Sequence, residues 1–139
     1  MKIAFLFFMS FFLTACVSFP EKQNCPFINP ALTYELTFEY GRADINEKAF
    51  SELTSIARKA AFRQKRVCII GDMRHEGVPD MQKELASLRV KTAGDIFLDN
   101  GLPLNDLYVI LTPNDETTGL NRPVSAKRIK HKVVIYTEP

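Results

Sequence analysis

The sequence predicts an α+β domain whose helices pack on a mixed β-sheet. Segments in which every second residue is apolar alternate with segments whose apolar residues recur at helical spacing, and the two periods distinguish strands from helices. The predicted order is β-α-β-α-β-β, which favours a sheet covered by helices. At 139 residues the chain has room for one such domain with a hydrophobic core of its own.

The first strand and the first helix are predicted within residues 33–63. Polar and apolar residues alternate from 33 to 40, so one face of this strand carries Tyr34, Leu36, Phe38 and Tyr40. Asp44 and, three residues later, Glu47 have the spacing of a capping box, which predicts a helix over residues 45–63. Its apolar positions at helical spacing, expected to face the core, are Phe50, Leu53, Ile56, Ala57 and Ala60.

The second half of the chain repeats the alternation of strand and helix. A short apolar strand over residues 66–70 stops at Gly71, and Pro79 suits the first turn of a second helix that ends at Asn100-Gly101. Two further strands, at 107–111 and 129–137, are separated by a long loop rich in turn-forming residues. The residues predicted to form the core face of the second helix are Met81, Leu85, Leu88, Thr92 and Ile96.

The N-terminal segment has the pattern of a secretory leader. Lys2 is followed by an apolar run over residues 3–13, which has the length of a signal-peptide core. That run is shorter than the roughly 20 residues that a permanent membrane helix needs, although an uncleaved anchor is the alternative. We expect residues 1–15 to be a signal peptide.

The leader ends in Leu13-Thr14-Ala15-Cys16, which resembles the bacterial lipobox. The resemblance implies that Cys16 becomes the N-terminus and carries diacylglyceryl and fatty acyl groups, which together hold a protein at a bilayer far better than one chain. By the sorting rule of that class, Val17 and Ser18 indicate the outer membrane, with the protein facing the periplasm. Residues 16–31 then form the lipidated N-terminus and a tether.

Two cysteines remain, Cys25 and Cys68. The periplasm is oxidising, so a disulfide between them is one alternative. It would close a loop of about 43 residues and add about 3–4 kcal/mol by loop-closure entropy. The other alternative is a pair of free, buried thiols.

Composition and motifs exclude several classes of function. A net charge of +2 is too small to indicate nucleic-acid binding. The sequence contains no G-x-S-x-G elbow, no P-loop and no H-E-x-x-H motif, so we expect no enzymatic activity and no cofactor. His75 stands beside Glu76, but the only other histidine is His131, and this spacing does not predict a metal site.

Between Gly71 and Pro103, glycines, a leucine and an arginine recur at a defined spacing: Gly71, Gly77, Leu85, Arg89 and Gly101. This spacing resembles that of the C-terminal domain of OmpA and of peptidoglycan-associated lipoproteins, although Ala86 and Val90 replace the usual serine and alanine of that family. The strands and the helix around this stretch follow the same order. The resemblance implies an OmpA-like domain over residues 32–139.

The resemblance also implies a candidate site for the diaminopimelate of the peptidoglycan stem peptide. The arginine that clamps the ligand carboxylate corresponds to Arg89, and the family's asparagine corresponds to Gln82. The aspartate that accepts the ligand ammonium corresponds to Arg74, a charge reversal that would repel it. Asp72 is either a substitute acid or a structural ion-pair partner of Arg89.

A basic run surrounds the start of the last strand: Lys127, Arg128, Lys130, His131 and Lys132. It is either an attraction site for anionic wall polymers, lipid head groups or an acidic partner, or a charged edge strand protected against aggregation.

Two functional hypotheses follow from these observations. In the first, the protein is a structural component of a cell-envelope assembly, such as the outer-membrane complex of a type IVB secretion system, and its partners are other envelope proteins. In the second, it binds peptidoglycan through Arg89 and a substitute acid, and so tethers the outer membrane to the cell wall.

Overall fold

A computed structural model describes residues 24–27, 29–72, 79–112 and 132–139, with the side chains of 79–81 and 112 excepted. The predicted α+β class is confirmed, because two helices pack on one mixed sheet. The described part of the last predicted strand is Lys132–Thr137, and its predicted residues 129–131 lie outside the described part. The elements are β1 Leu32–Thr37, α1 Glu47–Phe62, β2 Val67–Asp72, α2 Pro79–Asp99, a short 3-10 helix Leu104–Asp106, β3 Leu107–Thr112 and β4 Lys132–Thr137.

The sheet has four strands in the order β1-β4-β2-β3. β4 is antiparallel to both of its neighbours, and β2 is parallel to β3, so β1, β2 and β3 all run in one direction. We call the end at which these three strands finish the carboxyl edge, and the end at which they start the amino edge. Lys132 begins β4 at the carboxyl edge, and Thr137 ends it at the amino edge.

The main hydrophobic core lies between the two helices and one face of the sheet. Leu53, Ala57 and Ala60 of α1 are buried in it, as predicted. Phe50 is instead 53% exposed, although Ala49 in the same first turn of α1 packs against this core. The strand residues that complete this core are Leu36, Val67, Ile69, Leu107, Val109, Val133 and Ile135.

The core face of α2 differs from the predicted one. Leu88 is 47% exposed, whereas Arg89 beside it is buried. The buried stripe consists of Ala86, Arg89, Val90, Ala93, Ile96 and Phe97. The observed stripe and the predicted face have equally regular helical spacing. A hydrophobicity pattern chooses the face that contains Leu88, because it ranks leucine above arginine as a core residue. Ile96 belongs to both faces, and the side chain of Met81 is outside the described part.

The predicted capping box at the start of α1 is wrong. The cap is Asn46, whose side-chain oxygen accepts a hydrogen bond from the Ala49 N–H at 2.8 Å. The Asp44 carboxylate is held instead by Arg42, whose Nε and Nη2 donate to its two oxygens at 2.8 and 2.7 Å. This two-pronged pair keeps Asp44 outside the helix, which begins at Glu47.

The face of the sheet away from the helices, here called the opposite face, carries a smaller apolar cluster. A disulfide joins Cys25 to Cys68 of β2, with Cα atoms 5.9 Å apart, so the structure has the bridge rather than two free thiols. It brings the segment around Cys25 and Phe27 onto the sheet. The residues buried beneath are Cys68, Ile70, Ile110, Val134 and Tyr136.

Polar contacts close the amino edge. Glu138 accepts hydrogen bonds from both the side chain and the main-chain N–H of Arg66, and its own N–H donates to the Arg66 carbonyl at 3.0 Å. The hydrogen bond from the Arg66 guanidinium, more than any other contact, lowers the pKa of Glu138 to about 2. The end of β4 is thereby fastened to the residue that precedes β2.

Candidate functional site

Two of the residues that the sequence singles out for binding, Asp72 and Arg89, lie at the carboxyl edge. Asp72 ends β2, and Arg89 lies on α2, which packs directly on that strand. In the described part of the chain these two are the buried charged residues, with exposed fractions of 8% and 5%. Burying a charge is costly unless polar partners replace water, so the partners of Arg89 decide what this edge can do.

Arg89 is bound to the loop between β1 and α1. Its Nε donates to the Arg42 carbonyl at 2.8 Å, and its Nη2 donates to the Glu39 carbonyl at 3.1 Å. The guanidinium carbon also lies 5.2 Å from the centre of the Phe38 ring, within cation–π range. A buried guanidinium with these contacts holds the loop onto α2.

A second contact reinforces this connection. The Thr92 hydroxyl, one turn after Leu88, donates to the Ala43 carbonyl at 2.8 Å. Arg89 and Thr92 therefore bind three main-chain oxygens of the same loop from one side of the helix. Gly41, at φ 68°, occupies the left-handed region within this loop, where glycine is favoured.

The solvent side of the loop is a small charge cluster. The hydrogen bond between Arg42 and Asp44 is the main cause that lowers the pKa of Asp44 and raises the pKa of Arg42. Glu39 lies 3.9 Å from the Arg42 guanidinium and extends the cluster. All three side chains are exposed, so these charges order the loop but are screened by water.

Gly71 allows β2 and α2 to approach each other closely. A Cβ atom at this position would lie 2.5 Å from Val90 Cγ1 and 3.2 Å from Leu111 Cδ2. Close packing between β2 and α2 therefore requires glycine at position 71, independently of any ligand.

Asp72 and Arg89 belong to different layers of the molecule. Val67 and Ile69 of β2 contribute to the core under the helices, whereas Cys68 and Ile70 contribute to the cluster on the opposite face. Because side chains alternate along a strand, Asp72 extends from the same face as Cys68 and Ile70, away from α2.

The remaining predicted site residues are placed as follows. Gln82 is half-buried in the first half of α2. Arg74 and Cys16 lie outside the described residues, as do residues 127–131 of the basic run. Lys132, the last residue of that run, pairs with Glu35 of β1 at 2.7 Å, which makes it a cross-strand partner on the opposite face. Among the described residues, no three His, Cys, Asp or Glu side chains lie close enough to hold a metal ion.

Sequence reasoning identifies Arg89 but not what it binds. Its hydrogen-bond acceptors among the described residues include the main-chain carbonyls of Glu39 and Arg42, and any residue type supplies a carbonyl. The one usable signal is Phe38, an aromatic residue two positions before the end of the first alternating segment, on which a guanidinium can stack.

No protein-family model matches the sequence, and no curated protein sequence matches it either. Within the part of the chain that the structure describes, no helix combines the length and apolarity needed to cross a membrane.

Solved structures nevertheless share the fold. The OmpA-like domain of Francisella tularensis FopA1 matches at a TM-score of 0.55 and 17% identity, over 77% of this chain and 72% of that one. The peptidoglycan-associated lipoprotein of Burkholderia pseudomallei matches at 0.54 and 11% identity, over 75% and 89%. The C-terminal domain of Helicobacter pylori MotB matches at 0.53 and 18%, over 76% and 84%. The expected OmpA-like fold is confirmed.

Proposed function

We propose that this protein is an outer-membrane lipoprotein whose OmpA-like domain faces the periplasm and serves as a structural, non-enzymatic part of a cell-envelope assembly, such as the outer-membrane complex of a secretion system. The observation that carries the proposal is the binding of Arg89 to the Glu39 and Arg42 carbonyls. In the family that the sequence resembles, the corresponding arginine clamps a ligand carboxylate. Here the Nε and Nη2 of Arg89 donate hydrogen bonds to the protein's own main chain.

The replacement of the family's aspartate by Arg74 supports the same proposal. A cation at that position repels the ammonium of diaminopimelate. The ligand ammonium therefore has no aspartate to bind, and Arg89, which would bind the ligand carboxylate, is hydrogen-bonded to the protein's own loop. A domain that keeps the fold but not the pocket is suited to contacts with other proteins.

Lipidation is tested at Cys16. The chain should incorporate labelled palmitate and fractionate with outer membranes, and Cys16→Ser should abolish both. The variant with Cys25→Ser and Cys68→Ala is the matched control, because it removes both other cysteines together and leaves no unpaired thiol. Unchanged labelling in Cys16→Ser contradicts the lipid anchor.

The scaffold role is tested by the size of the particle that the protein occupies. After mild detergent extraction of intact envelopes, we expect the protein to run as a large complex of defined stoichiometry, with reproducible cross-links to the same envelope proteins. A lone monomer across several detergents contradicts an assembly role.

The alternative is a peptidoglycan-binding tether. It is favoured by the fold shared with a peptidoglycan-associated lipoprotein and by the presence of Arg89 at the carboxyl edge. Titration with a diaminopimelate-containing muropeptide, followed by NMR, separates the two functions. The scaffold proposal predicts no saturable shifts, whereas shifts that saturate in the native protein and vanish in Arg89→Lys favour the tether.

A gain-of-binding variant sharpens this test. If the charge reversal is what disables the pocket, Arg74→Asp creates muropeptide binding. If the internal engagement of Arg89 is what disables it, Arg74→Asp stays silent, as the contacts to Glu39 and Arg42 predict. Arg74→Asn is the matched control, since it removes the positive charge without supplying an acid.

A further inference from the structure

The amino edge carries a basic segment with an exposed aromatic residue at its centre. Five of the nine residues from 58 to 66 are Lys or Arg. Phe62, the last residue of α1, is 89% exposed, the largest exposed fraction among the large apolar side chains of the described part. An exposed aromatic ring of this kind gains free energy when an apolar phase covers it.

Several of these cations already have partners. Arg66 is bound to Glu138, Lys65 donates to the main-chain oxygen of Pro139, and Arg58 donates to the Asn100 side chain. Lys59 and Arg63 are exposed and form no ion pair within the described residues. Lys59, Phe62 and Arg63, together called the amino-edge patch, therefore combine two uncommitted cations with one uncovered ring.

Further apolar side chains lie at the same edge. Leu32 at the start of β1 is 42% exposed, and Leu104 in the 3-10 helix before β3 is 39% exposed. The acidic residues of this edge are Asp99, Asp106 and Glu138, and Glu138 is engaged by Arg66. The basic segment outnumbers these acids, so the edge attracts anionic surfaces.

The disulfide directs the N-terminal chain to this part of the molecule. Cys68 is the second residue of β2, so Cys25 is held in the amino-edge half of the sheet. Cys16 precedes Cys25 by nine residues, and a fully extended chain of that length spans at most about 30 Å. A domain on so short a tether stays close to the membrane, and its local concentration makes even a weak surface contact effective.

We propose that the amino edge docks on an anionic phospholipid surface, with Phe62 inserted at the boundary of head groups and acyl chains and with Lys59 and Arg63 on lipid phosphates. The inference rests on the proposed lipid anchor, which supplies the membrane. Basic side chains around an exposed aromatic residue have the composition of an interfacial membrane contact. In this orientation the carboxyl edge faces away from the membrane, where assembly partners have access to it.

The sequence contains no tryptophan, so one substitution installs a unique fluorescent probe. We would reconstitute the processed, lipidated protein carrying Phe62→Trp into vesicles of phosphatidylethanolamine with phosphatidylglycerol, and separately into neutral phosphatidylcholine. In anionic vesicles we expect a blue-shifted emission and several-fold stronger quenching by brominated lipids than in neutral ones. Phe50→Trp is the matched control, because Phe50 is also exposed but lies in the first turn of the same helix.

The charges are tested in the Phe62→Trp background. Lys59→Glu with Arg63→Glu should reduce the quenching to the level of the Phe50→Trp control, and the two glutamine substitutions should give an intermediate value. Circular dichroism checks that these surface variants remain folded. The docking proposal is overturned if the quenching is the same in anionic and neutral vesicles, or if these substitutions leave it unchanged.

Two different measurements test the proposed lipid anchor and the proposed docking, so failure of one proposal can be distinguished from failure of the other. Flotation with neutral vesicles reports only the anchor, so a protein that does not float contradicts the proposed lipidation. A protein that floats but shows no more quenching at position 62 than at position 50 retains the anchor and overturns the docked orientation.

Discussion

The two faces of the sheet are held by different means. Under the helices, a continuous apolar core joins both helices to all four strands. On the opposite face, a smaller cluster is covered at Cys25 and Phe27, and a covalent bond holds that segment in place. The comparison teaches that a short segment can cover a sheet face in place of a helix. Such a segment buries little apolar area, and the disulfide supplies the stabilisation that this area does not.

The largest effect is expected from the helix-covered face. Phe97→Ala removes a fully buried ring and should lower the free energy of unfolding by about 3–5 kcal/mol. Phe62→Ala, at an 89% exposed position, should change it by less than about 0.5 kcal/mol. Urea denaturation with the disulfide intact measures both. Similar losses in the two variants would break the assignment of the main core.

The opposite face is tested by removing its covalent bond. Cys25→Ser with Cys68→Ala should lower the free energy of unfolding by about 3–4 kcal/mol, since the bond closes a 43-residue loop in the unfolded chain. Reduction of the native protein should produce the same loss, which serves as the control. If both leave the stability unchanged, apolar contacts alone suffice on this face.

The fit between sheet and helix is tested at Gly71. Gly71→Ala places a methyl group 2.5 Å from Val90 Cγ1 and should destabilise the protein by about 1–3 kcal/mol. Because the clash involves a side chain, Val90→Ala in the same molecule should recover part of that loss. A double-mutant cycle in chemical denaturation measures the coupling, and additive losses would contradict it.

A smaller effect distinguishes the two candidate caps of α1. Asn46→Ala should cost about 1 kcal/mol, because the Ala49 N–H loses its acceptor at the helix start. Asp44→Ala removes only a solvent-exposed pair with Arg42 and should cost less. Thermal unfolding of the two variants side by side gives the order, and the reverse order would restore Asp44 as the cap.

The smallest effect is a pH dependence at the amino edge, where the ion pair between Arg66 and Glu138 is partly exposed and therefore screened by water. The folded state lowers the pKa of Glu138 from 4.5 to about 2, so the carboxylate stabilises the fold above about pH 4.5, and this contribution is lost as the pH falls towards 2. Glu138→Gln should flatten that part of the profile. Denaturation midpoints between pH 2 and 7 test it, and an unchanged slope would assign the acid sensitivity to other groups.

Much of the fold is predictable because local periodicity is strong. The alternation in β1 and the spacing of Leu53, Ala57 and Ala60 give the right elements with ends correct to within a few residues. The two errors have different causes. Arg89 lies in the core stripe beside the exposed Leu88 because it binds carbonyls of a loop that is distant in sequence. Asn46, which capping rules favour as much as Asp44, is the cap, and Asp44 is bound by Arg42 instead.

The candidate site is less accessible to sequence reasoning. Family spacing identifies Arg89, yet its partners are carbonyls of Glu39 and Arg42, which lie some fifty residues away and carry no sequence signature. The layer to which Asp72 belongs follows from the strand register. The cysteine count allows a bridge, but only the 5.9 Å separation of the Cα atoms in the fold makes one geometrically possible.

The bond between Cys25 and Cys68 also determines how the domain responds to mechanical load. A pull applied through the residues before Cys25 crosses the two sulfur atoms and enters β2, which is hydrogen-bonded to a neighbour on each side. Edge strand β1 and helix α1 lie within the closed loop, so the covalent path of that force bypasses them. A thiol reductant therefore redirects the force to β1, at the periphery of the sheet, where strands can be peeled away one hydrogen bond at a time.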